Sequence, residues 1–123
     1  MRRILIIDDE DDIREVAALS LESVAGWSVF TACSGAEGIL AAQTEQPDAI
    51  LMDVMMPSMD GPTTFREMQR SPGIANIPVV LLTAKVQGVD QRRFAGLGVA
   101  GVLFKPFDPL TLAEQMAATL GWS

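Results

Sequence analysis

Three aspartates, a threonine and a lysine carry most of the chemistry that this sequence could perform. Asp8 and Asp9 follow the apolar run Ile4–Ile7, Asp53 follows Ala49–Met52, Thr83 follows Pro78–Leu82, and Lys105 follows Gly101–Phe104. Each has an ordinary explanation alone. Asp8 to Asp12 could be an acidic loop entering a helix, Asp53 a turn residue ahead of Met56-Pro57, Thr83 a strand-end cap, and Lys105-Pro106 a plain turn. None of these explains why every ionisable strand end falls on one of four runs. Two carboxylates about 5 Å apart repel by roughly 3 kcal/mol at an effective dielectric near 20, so three facing one crevice call for a cation. Hard carboxylate oxygens, with no His anywhere in the chain, suit Mg²⁺ and lack the ligand spacing of a calcium loop. A carboxylate flanked by Mg²⁺ and the Lys105 ammonium can attack phosphorus and form an aspartyl-phosphate.

Such a crevice needs a sheet whose strands all end on the same side. Ile4–Ile7, Ser28–Ala32, Ala49–Met52, Pro78–Leu82 and Gly101–Phe104 read as five strands, four of them apolar nearly throughout, as strands buried on both faces should be. Helical segments alternate with them. The first, with Asp11 or Asp12 as cap, buries Ile13, Val16, Ala17, Leu21 and Val24 and stops at Gly26. A second runs from Ser34 or Gly35 to about Gln43 and buries Ala36, Ile39 and Leu40; a third starts near Pro62 and buries Phe65 and Met68. A fourth, Gln87–Gly98, is weakened by Gly88, Gly96 and Gly98 but would bury Phe94 and Leu97. The last runs from about Pro109 to Leu120, capped by Asp108, and buries Ala113, Met116, Ala117 and Leu120. Strict alternation predicts an α/β, doubly wound parallel sheet with five helices. Ligands then bind outside the carboxyl ends of the strands, and the order 2-1-3-4-5 would make neighbours of the four informative ones.

At 123 residues the chain is expected to be a single domain, 1–123, with no output module. Its net charge of −7, with nine scattered Lys and Arg, argues against direct nucleic-acid binding. The apolar runs are too short to span a membrane, and Asp8 interrupts the run after Arg2-Arg3 too early for a signal peptide, so a cytoplasmic location is expected. Cys33 is the sole cysteine, and is read as a small buried or half-buried apolar residue.

The segments Ile6-Ile7-Asp8-Asp9, Leu51-Met52-Asp53-Val54-Met55-Met56-Pro57-Ser58-Met59-Asp60-Gly61, Leu82-Thr83-Ala84 and Phe104-Lys105-Pro106-Phe107 resemble, in order and across the whole chain, the signature of response-regulator receiver domains. The resemblance implies a flavodoxin-like fold and a signalling switch. Asp53 would take a phosphoryl group from a sensor histidine kinase or a histidine phosphotransfer protein. Mg²⁺ would be held by Asp8, Asp9, Asp53 and the backbone carbonyl of Met55. Lys105, through a cis peptide to Pro106, would pair with the phosphoryl group, and Thr83 would hydrogen-bond it and draw in the loop at Ala84. The side chains of Met55 and Lys85 would tune hydrolysis. Where many receivers carry Tyr or Phe, this chain has Val102, so transmission would rest on the segment after Thr83 instead of an aromatic rotamer. Output would leave through the fourth helix, fifth strand and fifth helix, with Leu110, Thr111, Gln115 and Arg92-Arg93 as candidates for contact with a downstream effector protein. The domain would catalyse only its own phosphorylation and dephosphorylation. Three alternatives compete: an aspartate-nucleophile phosphohydrolase, disfavoured because the position for its second acid holds Met55; a flavin- or nucleotide-binding module, disfavoured because Asp8-Asp9 and no glycine-rich loop follow the first strand; and a degenerate receiver that only binds proteins, disfavoured because Asp8, Asp9, Asp53, Thr83 and Lys105 are all present.

Overall fold

The computed structural model describes residues 2–84, 94 and 96–122. Five parallel strands, β1 (Arg3–Ile7), β2 (Ser28–Ala32), β3 (Ala49–Asp53), β4 (Val79–Ala84) and β5 (Gly101–Lys105), form one sheet in the order β2-β1-β3-β4-β5. Four helices stand among the described residues: α1 (Asp11–Ala25), α2 (Gly35–Glu45), α3 (Gly61–Gln69) and α4 (Leu112–Leu120). The expected order of the sheet is thus found, with four helices in place of five. Most of the expected Gln87–Gly98 helix, with Lys85 and Arg92-Arg93, lies outside the described residues. Phe94 is buried and Leu97 half-buried, as read.

Alternation along the strands divides the core. Leu5, Ile7, Ile50, Met52, Val79 and Leu81 pack on one face with Ala42 of α2, Phe65 and Met68 of α3, and Phe94. Ile4, Ile6, Leu51, Val80 and Leu82 pack on the other with Ala17 and Leu21 of α1 and Leu112, Ala113 and Met116 of α4. Burial on both faces explains why these strands read as continuous apolar runs. No helix among the described residues is long and apolar enough to cross a membrane.

Several local expectations need correction. Glu10, not Asp11 or Asp12, is the N-cap residue of α1, and both aspartates lie within the first helical turn, where their charge opposes the helix dipole favourably. Val16 and Val24 are 44% and 51% exposed, because the buried stripe of α1 runs through Ala17, Ser20 and Leu21. On α2 the inward face is Gly35, Gly38 and Ala42; Ala36 is exposed and Leu40 is 65% exposed. A Cβ on Gly38 would lie 2.3 Å from Ile7 Cδ1, so α2 sits too close to the sheet for a larger residue there. The last helix begins at Leu112, three residues later than read. Asp108 caps a preceding turn, accepting the Leu110 N–H on its side chain and the Thr111 and Leu112 N–H groups on its carbonyl. Cys33 is exposed, and its thiol donates to Glu37 at 3.1 Å, a bond that raises its pKa above the usual value.

Candidate functional site

Register brings the strand ends together. β1 and β4 both flank β3, with Asp53 opposite Leu82 and Ala84 opposite Lys105, while Thr83 pairs with Phe104. The carboxyl edge therefore gathers Asp8, Asp53, Thr83 and Lys105 over three adjacent strand junctions. Asp8, Asp53 and Thr83 are buried.

The loop after β1 is fixed by its own backbone. Asp8 N–H donates to Ala32 O, Glu10 N–H donates to Asp8 Oδ1 at 2.8 Å, and Arg14 Nη1 donates to Asp8 O at 2.8 Å. Beyond Asp53 the chain turns through Ser58, at φ +69, and returns so closely that a Cβ on Gly61 would stand 2.5 Å from the Asp53 carbonyl oxygen. Gly61 N–H donates to Val54 O, and the Asp60 side chain caps α3 by accepting the Thr63 N–H. Gly61 is thus what allows α3 to press against β3.

Lys105 is the centre of the charge arrangement. Its Nζ lies 3.1 Å from Asp53 Oδ1, 3.3 Å from Asp8 Oδ2 and 3.4 Å from Glu10 Oε1. One ammonium does not neutralise three carboxylates. Burial, then the charge of Asp8, push the Asp53 carboxyl up to about 6 against the pull of Lys105. Burial likewise raises Asp8. Burial alone would lower the Lys105 ammonium, but the Asp53 and Asp8 carboxylates carry it above its usual value.

Two buried carboxylate oxygens, Asp9 Oδ1 and Asp53 Oδ2, accept no hydrogen bond, and Asp8 Oδ2 has only its share of the Lys105 ammonium at 3.3 Å. Buried charged oxygens without donors are costly, and a hard divalent cation is the ligand that such oxygens fit. Single oxygens of Asp8, Glu10 and Asp53 lie within 4.8 Å of one another. Asp9 is outside that group, whereas Glu10, which the sequence reading passed over, is inside it. The signal for Glu10 was its place in the acidic run, but its apparent role there was to lead into α1.

Of the remaining expected residues, Pro106 follows a cis peptide bond from Lys105. Met55 sits two residues beyond Asp53 with its side chain 75% exposed, and Ala84 is exposed at the end of β4. Val102 is half-buried and packs on the α2/α3 face of the sheet. The nearest aromatic on β5 is Phe104, 39% exposed.

Comparison with known proteins gives this geometry a family. Residues 4–117 match the model of the response regulator receiver domain. The chain is 38% identical over 120 residues to the DNA-binding dual master transcriptional regulator RpaA of Synechocystis, covering 98% of this chain and 49% of that protein. It is 34% identical over 119 residues to the alkaline phosphatase synthesis transcriptional regulatory protein PhoP of Bacillus subtilis, covering 97% and 48%. The chain thus spans about half the length of these relatives. Because their names are those of transcriptional regulators, they lend no support to the expectation that nucleic acid is not contacted. Among solved structures, the chemotaxis response regulator CheY4 of Vibrio cholerae superposes with a TM-score of 0.89 at 31% identity, covering 98% of this chain and 99% of that one. The chain belongs to the response regulator receiver domain family, the phosphoacceptor switches of two-component signalling.

Proposed function

We propose that Asp53 is the phosphoacceptor and that a phosphohistidine, on a sensor histidine kinase or a histidine phosphotransfer protein, is its donor. The observation that carries this is the state of the Asp53 carboxylate: buried, held through Oδ1 by Lys105 at 3.1 Å, with Oδ2 unpartnered. One oxygen is oriented and the other is available. In the transfer, a carboxylate oxygen of Asp53 forms a bond to phosphorus as the P–N bond to histidine breaks, and the imidazole leaves with its electron pair. Lys105 neutralises charge on the equatorial oxygens, and Thr83 donates its hydroxyl to the phosphoryl group.

Mg²⁺ is the cation that we assign to the site; Asp8, Asp9, Asp53 and the Met55 carbonyl would hold it, and it would supply charge neutralisation for the transferring group. Asp8 is held for this by its hydrogen bonds from Glu10 and Arg14. The self-limited chemistry is phosphorylation and dephosphorylation of Asp53 alone. Val102, Ala84, Lys85 and Pro106 are the positions through which we expect switching and turnover to be tuned. Output passes from β5 and α4 to an effector protein in the cytoplasm, with exposed Phe104 and Leu110 as its apolar contacts.

Incubation with acetyl phosphate and Mg²⁺, followed by intact mass, tests the assignment. One phosphoryl group should be gained, and none by Asp53→Asn. Undiminished labelling of Asp53→Asn, or multiple turnover of a phosphate ester, would overturn it.

A further inference from the structure

The Glu10 N–H holds Asp8, but its carboxylate stands at the mouth of the acceptor crevice and takes no part in the transfer. Its side chain is 59% exposed, against 2% for Asp8 and 3% for Asp53. It occupies the N-cap position of α1, yet its side chain makes no capping hydrogen bond. Instead Oε1 reaches Lys105 Nζ at 3.4 Å. The charges around it decide what that carboxylate does. Asp8, Asp9 and Asp53 carry three negative charges, which Lys105 and one divalent cation would cancel. Arg14 is engaged by Asp11. Glu10 is the uncancelled carboxylate at this mouth that reaches Lys105, with Asp12 lining the neighbouring cleft beside Lys105 and Pro106, and it stands in water where a donor must enter.

We propose that Glu10 is a donor-selecting residue: its carboxylate disfavours small dianionic phosphodonors and favours a phosphohistidine protein that sets a Lys or Arg side chain against it. The proposal rests on Asp53 being the acceptor. An acyl phosphate brings two negative charges and no positive one, and approaches an acceptor that has Glu10 within 4.8 Å of it. In a water-like dielectric the repulsion between one carboxylate and a dianion about 5 Å away corresponds to roughly a tenfold change in rate. A donor carrying its own cation pairs with Glu10 and escapes this repulsion, since complementary charge acts chiefly on encounter. Lys105 gains as well: without Glu10 it has one carboxylate fewer to hold it from the incoming phosphoryl group.

The test measures Asp53 phosphorylation of the whole chain, its Glu10→Gln and Glu10→Asp variants, each at a Mg²⁺ concentration shown by titration to saturate it. Acetyl phosphate and phosphoramidate are the donors; in both, the Asp53 oxygen bonds to phosphorus as acetate or ammonia departs. With acetyl phosphate at low ionic strength, Glu10→Gln should react about tenfold faster than the parent. The gain should be smaller with phosphoramidate, whose ammonium offsets one charge, and should shrink at about 0.5 M salt, where the Debye length is roughly 4–5 Å. Glu10→Asp keeps the charge and should behave like the parent. A Glu10→Gln rate within twofold of the parent at low salt, or a gain that salt leaves unchanged, overturns the filter while leaving Asp53 as acceptor. A parent that neither donor labels on Asp53 overturns both.

Discussion

Replacing Asp53 by Asn should make the metal-free protein more stable, by an amount that depends on pH in a defined direction. The folded protein raises the Asp53 carboxyl from 3.8 to about 6, so the folded state binds this proton more tightly than the unfolded chain does. The contribution of Asp53 to stability is therefore fully present below pH 3.8 and is lost as pH rises through about 6. A shift of about two units corresponds to about 3 kcal/mol at pH 7.5. Repulsion is of comparable size: carboxylate oxygens within 4.8 Å of one another repel by about 3 kcal/mol or more at an effective dielectric of 20. Asn removes the charge at nearly constant shape, so urea unfolding in EDTA at pH 7.5 should show a gain of up to about 3 kcal/mol, or about 10 °C in Tm for a domain of this size. The gain is an upper bound because Lys105 gives up its ion pair with Asp53. At pH 4 the two proteins should be nearly equal, and the gap should open between pH 4 and 6. Saturating Mg²⁺ should narrow it again by stabilising the parent more than the variant, since a ligand at a hundredfold its Kd adds about 3 kcal/mol. No gain at pH 7.5, a gain as large at pH 4 as at pH 8, or equal stabilisation of both proteins by Mg²⁺ would refute the reasoning.

Other perturbations follow from the same geometry. Lys105→Met leaves Asp8 and Asp53 facing each other without a cation; metal-free stability at pH 7.5 should fall by about 3 kcal/mol by urea titration, and Asp53 should titrate above 6. Gly61→Ala places a methyl group 2.5 Å from the Asp53 carbonyl oxygen, where backbone leaves little room to yield. It should lose about 2–4 kcal/mol and slow labelling, while Gly73→Ala, with nothing within 4 Å, should do neither. The exposed, non-polar Met55 offers no base to position water beside the phosphoryl group, so phosphorylated Asp53 should persist well beyond seconds; decay within seconds in the absence of a phosphatase, followed by intact mass, contradicts this.

What could be read from the sequence and what could not divides along a physical line. Strands buried on both faces announce themselves by composition, and a parallel sheet delivers their following residues to one edge, so Asp8, Asp53, Thr83 and Lys105 were legible before any coordinates. Helix faces were harder, because apolarity alone does not say how near a helix sits. α2 approaches on Gly35, Gly38 and Ala42, which turns Leu40 to solvent, and only the close approach of Gly38 to Ile7 reveals this. The start of the last helix was misplaced because Asp108 has the chemistry of a cap and does cap, but over a turn that precedes α4. Glu10 escaped notice for a related reason. In a run of five acids nothing local says that Glu10 joins Asp8 in reaching Lys105, 95 residues further along the chain.

The destabilising charge at Asp53 and the choice of Lys105 as its partner belong to one design. A crevice relaxed without ligands would offer little differential affinity for a cation or a phosphoryl group, and a ligand shifts a conformational equilibrium only by such a difference. Here the site is under-neutralised: Asp9 Oδ1 and Asp53 Oδ2 accept no hydrogen bond, and one ammonium, Lys105, is divided among Asp8, Glu10 and Asp53. On the function proposed above, a cation bound by these carboxylates would offset their repulsion, and a phosphoryl group on Asp53 would give Lys105 a stronger partner and draw it from Asp8 and Glu10. Because Lys105 ends β5 and is paired in register with Ala84 at the end of β4, that redistribution would act directly on the ends of these two strands. On that proposal no aromatic at Val102 would be needed to carry it, since Lys105 is itself part of β5.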